Sequence, residues 1–183
     1  MSTARLKDYN ACAVAALDTF NDHISTCRRA TWQSKPSPTA TPASPPYLAI
    51  DGAAAALDFY KKAFNAIEIL RMEGPDNRIG HAEIQIGNAR IMLADEFPEM
   101  LIRSPKSLGA AGISIMLYVD NVDVTYPQAI AAGGTEIRAL QDQFYGDRSA
   151  TLRDPFGHVW TVSTHIADYS EEELRERAAA AMK

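Results

Sequence analysis

The chain has 183 residues, 46% hydrophobic and 22% charged, the balance of a globular protein with a real core. Its net charge of -5 comes without a Lys/Arg cluster, which excludes a general nucleic-acid surface, because phosphate binding needs concentrated positive charge. No apolar run approaches the roughly 18 residues that span a bilayer, so no membrane partner is expected.

Residues 1–32 read as an amphipathic helical extension, with Leu6, Tyr9, Ala13, Ala16, Leu17, Phe20 and Ile24 at helical spacing. Asp8, Asp18, Asp22 and His23 interrupt any signal-peptide core, and the acids argue against an organelle transit peptide. Cys12 and Cys27 fall in this extension and read as reduced thiols, so the expected location is cytoplasmic. Residues 33–46 form a linker whose five prolines favour extended chain over a core.

A first module follows. Tyr47–Ile50 is a short strand, and Asp51 or Gly52 opens a helix through Ala66. Ile67–Met72 is a strand, residues 74–77 a turn, and Arg78–Ile86 and Ala89–Ala94 are strands joined by Gly87 and Asn88. Residues 96–111 connect this unit to the next, a length that points to function or to a partner subunit. The second module repeats the order: strand Ile113–Val119, a helix from Asp120 or Asn121 to Ala132 ended by Gly133 and Gly134, then strands Thr135–Ala139, Tyr145–Arg153 and His158–Thr164. Residues 170–182 are a charged helix capped by Ser170. The clearest sign of duplication is the hairpin Gly146–Thr161 (GDRSATLRDPFGHVWT), laid out like the looser hairpin Gly80–Leu93 (GHAEIQIGNARIML).

The expected fold class is α+β, two paired βαβββ modules (47–96 and 112–165) in a domain spanning 47–168. A helical extension precedes it and a C-terminal helix (169–183) follows. The motifs PYL (46–48), LDFYKKAF (57–64), HAEIQIG (81–87), MLADE (92–96), FYGDR (144–148), DPFGHVW (154–160) and SEEELRER (170–177) carry a family resemblance. In these the chain resembles the vicinal oxygen chelate superfamily (glyoxalase/bleomycin resistance/dioxygenase), and its PhnB-like branch most. The resemblance covers residues 46–180. It implies sheets curled around a cavity, usually in a homodimer, and in some members a divalent metal held by His or Glu on the first and fourth strands of each module. Those positions fall near Pro45–Tyr47, at Met92, at Ser114 and at Thr161. None supplies the imidazole or carboxylate that Zn, Ni or Fe sites use, so no metal ligand and no cofactor is assigned.

Strand alternation sorts the candidates by face. Ala82, Ile84 and Ile86 suit the helix-covered side, leaving His81, Glu83 and Gln85 toward the cup. His81 and Glu83 form a candidate base with its orienting carboxylate, competing with a satisfied polar network. Gln85, Met92, Ser114, Met116, Tyr118 and Thr161 are candidate ligand contacts, a lining suited to a partly apolar molecule. Arg148 is a candidate clamp for an anionic group, with Asp147, Asp154 or Glu83 as competing internal partners. Asp154–Gly157 reads as turn chemistry, Trp160 as core, His165 as surface, and Asp95 and Glu96 as alternative contacts at the rim. The function expected is binding of a small organic ligand by a metal-independent homodimer, through sequestration or acid–base chemistry at His81 and Glu83. Two alternatives stay open: a metal-dependent lyase or isomerase of glyoxalase type, with His81, Glu83 and Asp95 as a shifted site, and a non-catalytic interaction module docking through the N-terminal helix.

Overall fold

A computed structural model describes residues 44–182; the N-terminal helix expected over 1–32, its cysteines and most of the linker lie outside the described residues. Eight strands form two four-stranded sheets. In the first, β1 (Tyr47–Ile50), β2 (Ile67–Glu73), β3 (Ile79–Ile86) and β4 (Ala89–Asp95) run in the order β1-β4-β3-β2, with β1 parallel to β4 and the rest antiparallel. In the second, β5 (Ser114–Tyr118), β6 (Thr135–Asp142), β7 (Asp147–Arg153) and β8 (Val159–His165) repeat the pattern as β5-β8-β7-β6. The paired α+β architecture is therefore present.

The crossover helices are α1 (Ala53–Phe64) and α3 (Val122–Ala131). On α1, Ala53, Ala56, Leu57, Tyr60, Ala63 and Phe64 are buried, the spacing of one helical stripe. Gly52 has no side chain to cap this helix, so Asp95 does it from across the sheet. Its carboxylate accepts from the amides of Gly52 (3.1 Å), Ala53 (2.8 Å) and Ile79 (2.6 Å). In the second module Thr164 Oγ1 takes the matching role, accepting from the Val122 amide at 2.8 Å.

Both helices pack on one face of their sheets and against each other, with Gln128 Nε2 donating to the Lys62 and Ala63 carbonyls. One core results. Trp160 of β8, fully buried, lies 4.7 Å from Phe64 and 5.3 Å from Tyr60 of α1, centroid to centroid. The turn after β7 joins the same junction: Asp154 accepts from Tyr60 Oη (2.8 Å), Trp160 Nε1 (3.0 Å) and the amides of Phe156 and His158 (2.9 Å each). The turn expected at Asp154–Gly157 is present and also ties the modules together.

Several boundaries differ from expectation. α1 ends at Phe64, two residues before Ala66, because Asn65 turns into the left-handed region at φ 54°. β6 continues to Asp142 through two register shifts, because an edge strand tolerates bulges that a central one does not. β7 starts at Asp147 instead of Tyr145, since Gly146 at φ 98° bends the chain just before it. The connection after β4 is partly structured, with a single turn at Pro98–Met100 and a short helix α2 (Pro105–Leu108) capped by Ser104. The last helix, α4 (Glu171–Ala181), carries the full capping box of Ser170 and Glu173. Among the described residues no helix is long and apolar enough to cross a membrane.

Candidate functional site

Each sheet has one face under helices and one face that the described residues leave open. On the first, His81, Glu83 and Gln85 of β3 share the open face with Met92 and Arg90 of β4, Tyr47 of β1, and Ile67, Leu70 and Met72 of β2. A polar line crosses it. Tyr47 Oη lies 2.9 Å from His81 Nδ1, His81 Nε2 lies 3.4 Å from Glu83 Oε1, and Arg90 Nη1 donates to Glu83 Oε2 at 2.6 Å. A neutral imidazole that donates from Nε2 to Glu83 and accepts at Nδ1 from the Tyr47 hydroxyl satisfies every contact. The Arg90 guanidinium, helped by His81, holds the Glu83 carboxyl below its ordinary range against some desolvation. Burial raises the Tyr47 phenol. In this arrangement His81 Nδ1 faces the Tyr47 hydroxyl as an acceptor, while the Glu83 carboxylate, kept ionised by Arg90, orients the ring from the Nε2 side. Arg90 Nε is buried without a partner among the described residues.

On the second sheet Ser114, Met116 and Tyr118 of β5 lie beside Val159, Thr161 and Ser163 of β8. Thr161 exchanges a hydrogen bond with Thr151 at 3.0 Å. A buried carboxylate anchors the far end. Asp147 accepts from Tyr118 Oη (2.8 Å) and Ser163 Oγ (3.0 Å) and pairs with His165 Nδ1 (2.9 Å). Burial opposes ionisation of Asp147, yet donation from His165, Tyr118 and Ser163 outweighs it and leaves the carboxyl below its ordinary value. Asp147, then Asp168, raises His165 above the usual imidazole value. The pair adds stability below the unfolded His value of about 6.5 and loses it as pH rises through the folded value. An Asp147→Asn variant should return the His165 titration toward the ordinary value, read by NMR of the ring protons; an unmoved titration would contradict this geometry.

The structure thus brings His81, Glu83, Gln85 and Met92 onto one open face and Ser114, Met116, Tyr118 and Thr161 onto the other. Arg148 joins neither. It sits with Ala150 and Leu152 on the helix side of β7 and is engaged by Asp123 (2.8 Å) and Asp142 (2.8 Å), partners absent from the expected set. The even positions of β7 carry the core, so position 148 has to point that way. Asp95 likewise lies on the helix side, spent on backbone amides, so the shifted set of His81, Glu83 and Asp95 is split across two faces of the sheet. Glu96 is engaged by the Ser104 amide and the Ser107 hydroxyl. His165, expected at the surface, is only half so: it is exposed but held by Asp147. Tyr47, Arg90, Asp147 and Ser163 were missed. Strand parity could have found three of them, since Arg90 shares a face with Met92 and Asp147 and Ser163 share one with Thr161.

The donors at the family's metal positions are Tyr47, Met92, Ser114 and Thr161. Register refines one of them, because Tyr47 pairs with Met92 as Met116 pairs with Thr161. A thioether or two, hydroxyls and a phenol do not fit a catalytic Zn, Ni or Fe ion. Among the described residues no group of three His, Cys, Asp or Glu side chains converges on a metal-sized site.

A sequence profile described as the Glyoxalase/Bleomycin resistance protein/Dioxygenase superfamily matches residues 43–162. An uncharacterized protein of Mycobacterium bovis is 40% identical over 137 residues, spanning 73% of this chain and 90% of the relative. Among solved structures, TioX from Micromonospora sp. ML1 superposes with a TM-score of 0.53 at 23% identity, over 70% of this chain and 100% of that one. A PhnB protein from Bacillus cereus gives 0.53 at 16% identity, over 67% and 99%. The fosfomycin resistance protein FosX from Listeria monocytogenes gives 0.54 at 17% identity, over 73% and 97%. At these identities the structural likeness speaks for the fold.

Proposed function

The chain belongs to the glyoxalase/bleomycin resistance protein/dioxygenase superfamily, and on that premise we propose that it binds a small organic molecule on its open sheet faces without a metal. The observation that carries this is the line Tyr47–His81–Glu83–Arg90, laid beside Met72 and Met92 across a face left open by the described residues. A hydrogen-bonding stripe on an adaptable apolar floor suits a ligand of mixed polarity. Sequestration needs only that surface. Acid–base chemistry of a lyase or isomerase type would use His81 as base, with Glu83 orienting the ring. The exposed Ile67, Leu70, Met72 and Met116 support a homodimer in which a second copy closes the cup.

A thermal-shift screen with thiol conjugates and aromatic antibiotics tests the reading. A true ligand raises Tm by mass action, and His81→Ala or Glu83→Gln weakens it about tenfold, the loss of one charged hydrogen bond. Ligands indifferent to both variants would remove the polar line from the site. Stoichiometric tightly bound Zn, Ni or Fe in the purified protein would replace this reading with the metal-dependent lyase. Deleting residues 1–45 tests the interaction-module alternative, which requires a changed oligomeric state or partner binding.

A further inference from the structure

The segment from Glu96 to Ile113 is not a plain tether. Two cavities adjoin along it, of about 450 and 270 Å3, and both are walled by Pro105, Ala110 and Ala111. The larger has two cations in its lining, Lys106 and Arg153, and no carboxylate. That is out of keeping with a chain of net charge -5. Arg153 makes no ion pair among the described residues, and Lys106 has a distant one, 3.8 Å from Asp51. Arg153 pairs in register with Val159, and Val159 with Ser114, so this cavity borders the open face of the second sheet.

The smaller cavity is mostly apolar, with Leu48, Ala49, Leu108 and Ile113 in its walls and Arg103 as its one cationic side chain. Tyr47 lines it as well, and its hydroxyl contacts His81, so this cavity borders the open face of the first sheet. His158 also lines it, 5% exposed, with Nε2 lacking a partner among the described residues. The floor is fixed: a Cβ on Gly157, at φ +95°, would come within 3.0 Å of Pro105 Cβ, so α2 rests directly on the turn after β7.

We propose that this segment roofs a two-part site for an amphipathic organic anion. The carboxylate or phosphoryl group lies between Lys106 and Arg153, and the apolar body lies against Leu108, Ala111 and Ile113. Cations without close partners at a cavity wall are ready to exchange water for an anionic oxygen, and the guanidinium does so bidentately. The combined size suits a small molecule of one ring or a short chain. This rests on the reading of the chain as a small-molecule binder and names its ligand class.

The test is calorimetric titration of the full chain with 4-phenylbutyrate, 4-phenylbutanol and butyrate at constant ionic strength, with phenyl phosphate as the phosphoryl arm. The phenyl acids should bind more tightly than both controls. Arg153→Gln should weaken them about tenfold, Lys106→Gln less, and the uncharged Leu108→Ser should weaken the phenyl acids but not butyrate. All three residues are at the surface of the cavity, so the variants should fold, and circular dichroism checks this. The site is refuted if the alcohol binds as well as the acids, if Arg153→Gln leaves the affinity unchanged, or if no phenyl acid binds at millimolar concentration. His81→Ala separates the two proposals: acids that still bind with Arg153 dependence leave this site standing even where the polar line fails.

Discussion

Replacing Asp154 with Ala is expected to destabilise the fold by about 3–5 kcal/mol. The carboxylate is 3% exposed and accepts four hydrogen bonds, from Tyr60 Oη, Trp160 Nε1 and two backbone amides. Removing it strands four buried donors at once. Each would cost about 1–3 kcal/mol alone, and partial relaxation keeps the sum below four full penalties. Burial is the largest cause that holds the Tyr60 phenol above its usual value, and it persists in the variant, so ionisation does not relieve that hydroxyl of its need for an acceptor. Asp154→Asn is the sharper variant. Its carbonyl can still serve the Phe156 and His158 amides, but its NH2 would face the two side-chain donors, so most of the loss should persist. Urea unfolding followed by fluorescence reads both. An Ala variant within 1 kcal/mol of wild type would show that Asp154 does not hold the junction.

A Gly146→Ala substitution is expected to cost about 3 kcal/mol or more, and to disturb the second polar cluster as well. Gly146 sits at φ +98°, where an L side chain is strained, and a Cβ there would run into the carbonyl oxygen of Ala167. Its own carbonyl accepts from the Ile166 and Ala167 amides, so the chain after β8 is clamped onto this residue. Relief requires moving one backbone past the other, and Asp147 is the next residue. The His165–Asp147 pair should loosen, and the His165 titration should fall toward its ordinary value together with Tm. A variant with reduced Tm but an unaltered His165 titration would separate the turn from the cluster.

How much was legible in the sequence follows from what kind of signal each feature leaves. Duplicated hairpins, helical stripes and turn residues are local, and they placed all eight strands to within about two or three residues at each end. Face assignment by parity succeeded for His81, Glu83, Gln85, Ser114, Met116 and Tyr118, because each strand alternates cleanly against buried neighbours. Arg148 escaped because its partners, Asp123 and Asp142, come from a helix and an edge strand whose approach no local pattern encodes. Asp95 escaped for the same reason. Its job is to cap a helix more than forty residues earlier, which only the parallel pairing of β1 and β4 makes possible. Cross-sheet contacts such as Tyr47 to His81 depend on register, and register is a property of the pair of strands, not of either alone.

The shared core has a consequence for what a protease can do to this molecule. The connection between the modules is largely exposed around Met100 and Leu101 and is the natural place for a cut. Such a cut would not yield two domains. Each fragment would keep half of one aromatic cluster, Tyr60 and Phe64 on one side and Trp160 on the other, with the carboxylate that joins them on the second. Nicked chains should therefore travel as a single particle until denatured, and neither half should survive as a soluble protein by itself.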